Sequence, residues 1–206
     1  MLKYLLIIFT LSIAIQAQQF SNSRDYYYTV KSSEYNKMDT LALLSSERLE
    51  YGTYSSLWHF DAKETDRTLS KQQTIGIQNN TIVRLKMPTV AYLFDLGKLP
   101  YPEIRFSMSV GDSIHTSHIY PTDVNGYDST EVKGYIKVID YEEETVEYGG
   151  YDRIIKTWTL EANNLDNPEY KAIFTYNSNY GFTNFKYYLT DKEIEINHYS
   201  TTHMEY

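Results

Sequence analysis

Phe185-Lys-Tyr-Tyr-Leu-Thr-Asp-Lys-Glu-Ile-Glu-Ile-Asn-His198 is the stretch whose reading decides the fold. In an extended chain successive side chains point to opposite faces, so residues two apart share one. With a tight turn at Thr190-Asp191, Phe185, Tyr187 and Leu189 fall on the same face as Ile194, Ile196 and His198, and Lys186, Glu193 and Glu195 fall on the other. One face is dry and one is wet, which is the signature of an antiparallel hairpin lying half-buried in a sheet.

The same alternation recurs along the chain. Ser113 to Tyr120, Val132 to Tyr141, Tyr151 to Ala162, Glu169 to Tyr176, Gly181 to Leu189 and Lys192 to Tyr199 all read as strands between turn clusters. Earlier, Tyr54 to Ala62 sorts Tyr54, Trp58 and Phe60 to one face and Ser55, Leu57, His59 and Asp61 to the other. Thr74 to Gln78 and Thr81 to Met87 form a hairpin across Asn79-Asn80, residues that tolerate positive φ. Pro88, Pro100, Pro102, Pro121 and Pro168 fall between these segments, where a missing N–H costs no ladder bond. Met38 to Leu49 fits either a helix capped by Asp39 or a strand alternating Leu41 and Leu43. The expectation is an all-β, antiparallel fold, a curved half-barrel, a barrel or a sandwich with little helix, built as a single domain over residues 18–206.

The N-terminal residues read differently. A short basic start ending at Lys3, an apolar run from Tyr4 to Ile15 and the small residue Ala17 before Gln18 have the layout of a secretory signal peptide, residues 1–17. The run is about a dozen residues, short of the roughly 20 that a spanning helix needs. No second long apolar run follows, so no membrane span is expected after cleavage. The chain has 0 cysteines, which removes disulfides, thiolate metal sites and thiol nucleophiles together. A formal net charge of −8 with scattered lysines and arginines excludes a polybasic surface, and nucleic acid is not an expected partner. Tyrosine dominates the aromatics, 22 against 8 phenylalanines and 2 tryptophans. Its ring buries area while its hydroxyl stays hydrated, which suits strands with half-wet faces and also suits stacking on a ligand.

Catalytic chemistry leaves no trace in the pattern. The nucleophile elbow, the phosphate loop and the zincin helix are all missing from the sequence. His115 and His118 with Asp112 are ligand types for a divalent metal, but residues three apart on a strand point to opposite faces. Asp123, Asn125, Asp128 and Glu131 space oxygen ligands as a calcium loop would, yet Gly126 stands at the wrong position and an Asn-Gly turn explains the loop more simply. Glu142-Glu143-Glu144 reads as a solvated hairpin tip. No catalytic residue, metal or cofactor is assigned.

From about Leu99 onward the chain resembles a group of exported bacterial β proteins similar to the lipoprotein-carrier (LolA-like) half-barrels. The features that carry the likeness are Val110-Gly111-Asp112-Ser113 leading into a long strand, Glu144-Thr145-Val146 followed by Gly149-Gly150-Tyr151, and Tyr176 with Gly181-Phe182 and Phe185. It departs from their pattern at Tyr148-Gly149, where a proline turn is usual, and at Thr175-Tyr176, where a tryptophan-containing pair is common. The resemblance implies a curved sheet whose concave apolar face holds an acyl chain, and it implies no catalytic residue. An exported, periplasmic or secreted, non-enzymatic binding protein for a lipid-like ligand is the resulting expectation. Its ligand-binding candidates are Trp58, Phe60, Trp158, Phe174 and Tyr187, which a sheet would also bury as ordinary core. Carbohydrate binding by exposed aromatics and a metal-dependent enzyme are the alternatives, and the oligomeric state stays open.

Overall fold

The computed structural model describes residues 24–33, 35–48, 53–61, 70–78, 81–89, 91–122 and 128–203, and within them one antiparallel sheet of twelve strands. The signal-peptide reading, the Asn79-Asn80 turn and Asp123 and Asn125 lie outside the described residues. The strands are β1 (Arg24–Ser32), β2 (Tyr35–Arg48), β3 (Thr53–Asp61), β4 (Ser70–Gln78), β5 (Ile82–Arg84), β6 (Glu103–Arg105), β7 (Ser113–Pro121), β8 (Ser129–Tyr148), β9 (Tyr151–Asn164), β10 (Lys171–Asn177), β11 (Gly181–Tyr188) and β12 (Glu193–His203). Their order in the sheet is β6-β5-β4-β3-β2-β1-β12-β11-β10-β9-β8-β7. Two meanders are thus welded where the last strand pairs with the first, and the sheet's two edges, β6 and β7, are consecutive in the chain.

The hairpin read from sequence has the expected register: Phe185 faces Ile196 and Tyr187 faces Ile194, all four fully buried, while Lys186 sits opposite Glu195 and salt-bridges Glu193 at 2.9 Å. The segment read as Met38 to Leu49 lies in strand β2 as far as Arg48, with Leu41 and Leu43 buried, and Leu49 lies outside the described residues. Glu142-Glu143-Glu144 lies within β8 and not at a tip. The β8–β9 turn is Gly149-Gly150, at φ 61° and 83°, between the paired Tyr148 and Tyr151. A two-residue turn with positive φ at both positions matches strand twist and suits glycine. Pro121 ends β7 instead of lying beyond it.

Strand twist accumulates with each added strand and curls the sheet. In a flat sheet β6 and β9 would lie roughly 40 Å apart at about 4.8 Å per strand. Phe106, just after β6, nevertheless has its ring centroid 5.7 Å from Trp158 on β9 and 5.7 Å from Tyr176 on β10. The β4–β6 end therefore folds over the β8–β10 end, and the shared concave face becomes one core running from Tyr28 and Trp58 to Trp158 and Ile194.

β5 is only three residues long, because the chain leaves the sheet after Arg84 and returns at Glu103. The intervening residues, 85–102, form a strap that includes a 3-10 helix, Ala91–Lys98. The sequence reading carried the strand from Thr81 on to Met87, three residues into this strap, and beyond it noted only the prolines. Leu85, Met87, Leu93, Leu96 and Leu99 are all buried. The ladder ends at residue 85 because the strap's polar groups bond elsewhere: Lys86 O accepts from Trp58 Nε1 at 2.8 Å and Thr74 Oγ1 at 3.0 Å, and Thr89 N donates to Gln72 Oε1 at 2.7 Å.

Candidate functional site

Register places the concave-face side chains in rows. One row runs Tyr141, Trp158, Tyr176, Phe182 across β8 to β11. The next runs Val138, Leu160, Phe174, Phe185, Ile196, Val30 across β8 to β12 and on to β1. A third runs Ile136, Ala162, Ala172, Tyr187, Ile194. Directly opposed residues share a face, so these rings must meet.

Four of the five sequence-predicted ligand residues are joined by ring contacts. Trp58 lies 6.0 Å from Tyr28, Tyr28 lies 5.8 Å from Phe185, and Phe185 lies 6.1 Å from Phe174, which stacks edge-on to Tyr187 at 5.6 Å. Trp158 joins through Tyr176 at 6.1 Å and Phe182 at 5.1 Å from it. Phe60 belongs to β3, but its side chain lies outside the described part of the structure. Trp58, Trp158, Phe174 and Tyr187 are all buried, so in this state their rings contact one another rather than solvent. Tyr28, Tyr176, Phe182 and Phe185 belong to the same cluster and were missed as site candidates, although period 2 put Phe185 on the dry face.

The strap closes over this cluster and is held by polar contacts at its far end as well as those at Lys86 and Thr89. Asp95 bonds Lys192 at 2.8 Å and Lys98 at 2.7 Å. Asn164 Nδ2 donates to Lys98 O at 2.7 Å, and His118 Nε2 lies 2.8 Å from Gly97 O. Pro100 rests on Gly134, where a Cβ would come within 2.3 Å of Pro100 Cγ. Burial pushes the Asp95 carboxyl up, but the two lysine bonds outweigh it and hold it below its ordinary value. Burial lowers the His118 pKa, opposed by the Gly97 carbonyl and assisted by Arg84 and Lys86. The neutral ring can donate its Nε2 proton to that carbonyl.

Polar atoms inside the cluster divide into two groups. Trp58 Nε1 is used on the strap, and Tyr28 OH donates to Phe182 O at 3.2 Å. Trp158 Nε1, Tyr176 OH and Tyr187 OH are buried without a partner. Desolvation raises the pKa of Tyr176, and of Tyr187 well above its usual value, so both remain neutral hydroxyls with a proton to give. Most buried polar groups in folded proteins are hydrogen-bonded, and an unpaired one costs about 1–3 kcal/mol.

The histidine pair does not converge. His115 is exposed on one face of β7, while His118 faces the strap. Among the described residues there is no group of three or more His, Asp or Glu positioned to hold a metal ion. Glu131 of the acidic loop salt-bridges Lys133 at 3.2 Å. No described helix is long and apolar enough to cross a membrane.

No family model and no curated protein matches the sequence. Solved structures align with this chain, the following two among them. The hypothetical lipoprotein YmcC from Escherichia coli aligns at 9% identity and TM-score 0.39, covering 90% of this chain and 89% of that one. A β-barrel-like protein of a domain of unknown function from Brucella abortus aligns at 9% identity and TM-score 0.49, covering 89% of this chain and 98% of that one.

Proposed function

We propose that this chain is an exported, non-enzymatic binding protein that takes an amphipathic ligand with one acyl-like chain onto the concave face, with the strap swinging aside to admit it. The observation that carries the reading is the set of unpartnered buried donors, Trp158 Nε1, Tyr176 OH and Tyr187 OH, within an otherwise apolar surface. An ester or carboxyl group at the end of an alkyl chain supplies an acceptor for the neighbouring Trp158 and Tyr176 donors, and a second polar group on the ligand would be needed for Tyr187. The resemblance read from the sequence of residues 99–206 to lipoprotein-carrier half-barrels implies an acyl chain as the ligand.

The energetics set the ligand's size. Re-exposing Leu85, Met87, Leu93, Leu96 and Leu99 costs roughly 10 kcal/mol at about 2 kcal/mol each. A ligand recovers about 0.8 kcal/mol per buried methylene, so a chain of about twelve carbons or more offsets strap release. The test is titration with palmitate and with lysophosphatidylcholine below its micelle threshold, followed by tryptophan emission and calorimetry. Saturable 1:1 binding that a Tyr176→Phe, Tyr187→Phe double variant weakens supports the reading; no heat and no spectral change with either probe refutes it.

One observation favours carbohydrate binding as a second reading. Tyr148 and Tyr151, 76% and 81% exposed, form a cross-strand pair at the β8–β9 tip beside Glu147 and Asp152. Sugar rings stack on such faces, and a glycan panel compared with a Tyr148→Ser, Tyr151→Ser variant distinguishes the two sites.

A further inference from the structure

The two sheet edges are built differently. β6 is three residues long, and Glu103 on it is clasped by Arg84 at 2.9 Å and Arg105 at 3.0 Å, a charged stub of the kind that resists pairing. β7, Ser-Ile-His-Thr-Ser-His-Ile-Tyr-Pro from Ser113 to Pro121, is nine residues long and carries no Lys, Arg, Asp or Glu. In a chain with 27 acidic and 19 basic residues, that neutrality is local to this edge.

The hydrogen-bonding parity of β7 follows from its register. Val138 N donates to Asp112 O at 2.9 Å, and β7 continues antiparallel with Ile114 opposite Ile136 and Thr116 opposite Gly134. Alternate residues of an antiparallel strand direct both backbone groups to the same neighbour. The even residues therefore bond β8, and Ser113, His115, Ser117 and Ile119 direct their N–H and C=O away from the sheet. Pro121 shares their parity, so its missing N–H falls on the open side, where proline is tolerated. Among the described residues no backbone bond reaches these four from outside the sheet.

We propose that β7 pairs antiparallel with β7 of a second copy of this chain, about a two-fold axis through Thr116. In this register Ser113 lies opposite Ile119 of the other copy and His115 opposite Ser117, each a hydrogen-bonded pair using all the outward backbone groups. A large side chain meets a small one at every such pair, on both sides of the axis. The two Thr116 side chains face each other at the axis as a non-hydrogen-bonded pair, where side chains approach most closely. The uncharged edge brings no carboxylate against another, which separates this contact from every acidic surface of the chain.

Sedimentation velocity of the signal-free chain across low to high micromolar concentration tests this. The native chain sediments as a dimer. Ser117→Pro removes an outward N–H without touching the β8 ladder, and Ile119→Lys places a charge on the edge. Each raises the dissociation constant by roughly thirtyfold, as loss of about two backbone bonds does, with an unchanged far-UV spectrum. Tyr148→Ser with Tyr151→Ser leaves the dimer intact. A native chain that is monomeric throughout, or a dimer indifferent to Ile119→Lys, overturns the proposal.

Discussion

Substituting Gly134 by alanine tests whether the strap is seated where the structure places it. A Cβ at this position meets Pro100 Cγ at 2.3 Å, Pro100 Cδ at 3.0 Å and the backbone oxygen of Asn163 at 2.5 Å. Two of these are parts of a rigid ring and the third belongs to the neighbouring strand, so no flexible side chain can yield. Overpacking of this kind costs about 1–3 kcal/mol, against a gain of about 0.5–1 kcal/mol from replacing glycine in a strand. The net is a loss of roughly 1–2 kcal/mol, which in a domain of this size lowers Tm by about 2–8 °C. Differential scanning calorimetry reads the shift, and limited proteolysis locates it, because relief comes by lifting Pro100 and new cleavage should fall within residues 85–102. A Tm equal to or above the native value would mean that Pro100 does not rest on Gly134, and the strap's position over the concave face would fall with it.

Three further outcomes follow from the same contacts. Leu96→Ala, which hollows the buried side of the 3-10 helix, should cost about 2–5 kcal/mol in urea unfolding, less if the strap collapses onto the space. Trp58→Phe leaves Lys86 O with the Thr74 hydroxyl as its remaining donor and should cost about 1 kcal/mol, whereas Trp158→Phe removes an unpartnered N–H and should cost less for the same change in ring size. Acid should loosen the strap in two stages: the lowered His118 pKa means that stability is full above its ordinary value of 6.5 and declines as pH falls through the folded value, and the lowered Asp95 pKa adds a second decline below 3.8. A pH series of melting curves should show a smaller first stage in His118→Gln, with His198 contributing the remainder, and a smaller second stage in Asp95→Asn, with Glu161 contributing the remainder.

Much of the architecture was legible because period 2 is a local signal. From Ser113 onward each strand read from the sequence falls on an observed one, with ends that agree within a few residues except at the far end of β8, and the faces deduced for the Phe185 to Ile196 hairpin are as observed. The strap was not legible for a physical reason. Residues 85–102 form neither ladder nor long helix, and the groups they meet include Gly134 on β8 and Asn164 on β9, strands nine or more places from β6 in the sheet. Only the curl created by many small twists brings those strands to them, and no window of sequence contains it. The extra length of β8 was missed for a related reason: Glu142 to Glu144 look like a turn when read alone, yet Gly149-Gly150 downstream provides the better turn and the glutamates become rungs facing Thr157, Lys156 and Ile155.

The candidate site shows the same division between local and collective information. Trp58, Trp158, Phe174 and Tyr187 were chosen because they alternate inward, and inward they are, yet inward position alone does not separate a core ring from a ligand ring. The separating quantity is whether each polar atom has a partner. Trp58 and Trp158 are the same residue type, both buried on the concave face, but Lys86 O sits 2.8 Å from one indole nitrogen and nothing accepts from the other. That difference comes from the strap's path: Lys86 passes beside Trp58, whereas the strap meets β8 and β9 at Gly134 and Asn164, farther along the strands than Trp158, so it is a property of the closed sheet and not of either strand. The neighbouring Trp158 and Tyr176 are therefore where a bound acceptor would change the protein's hydrogen bonding most.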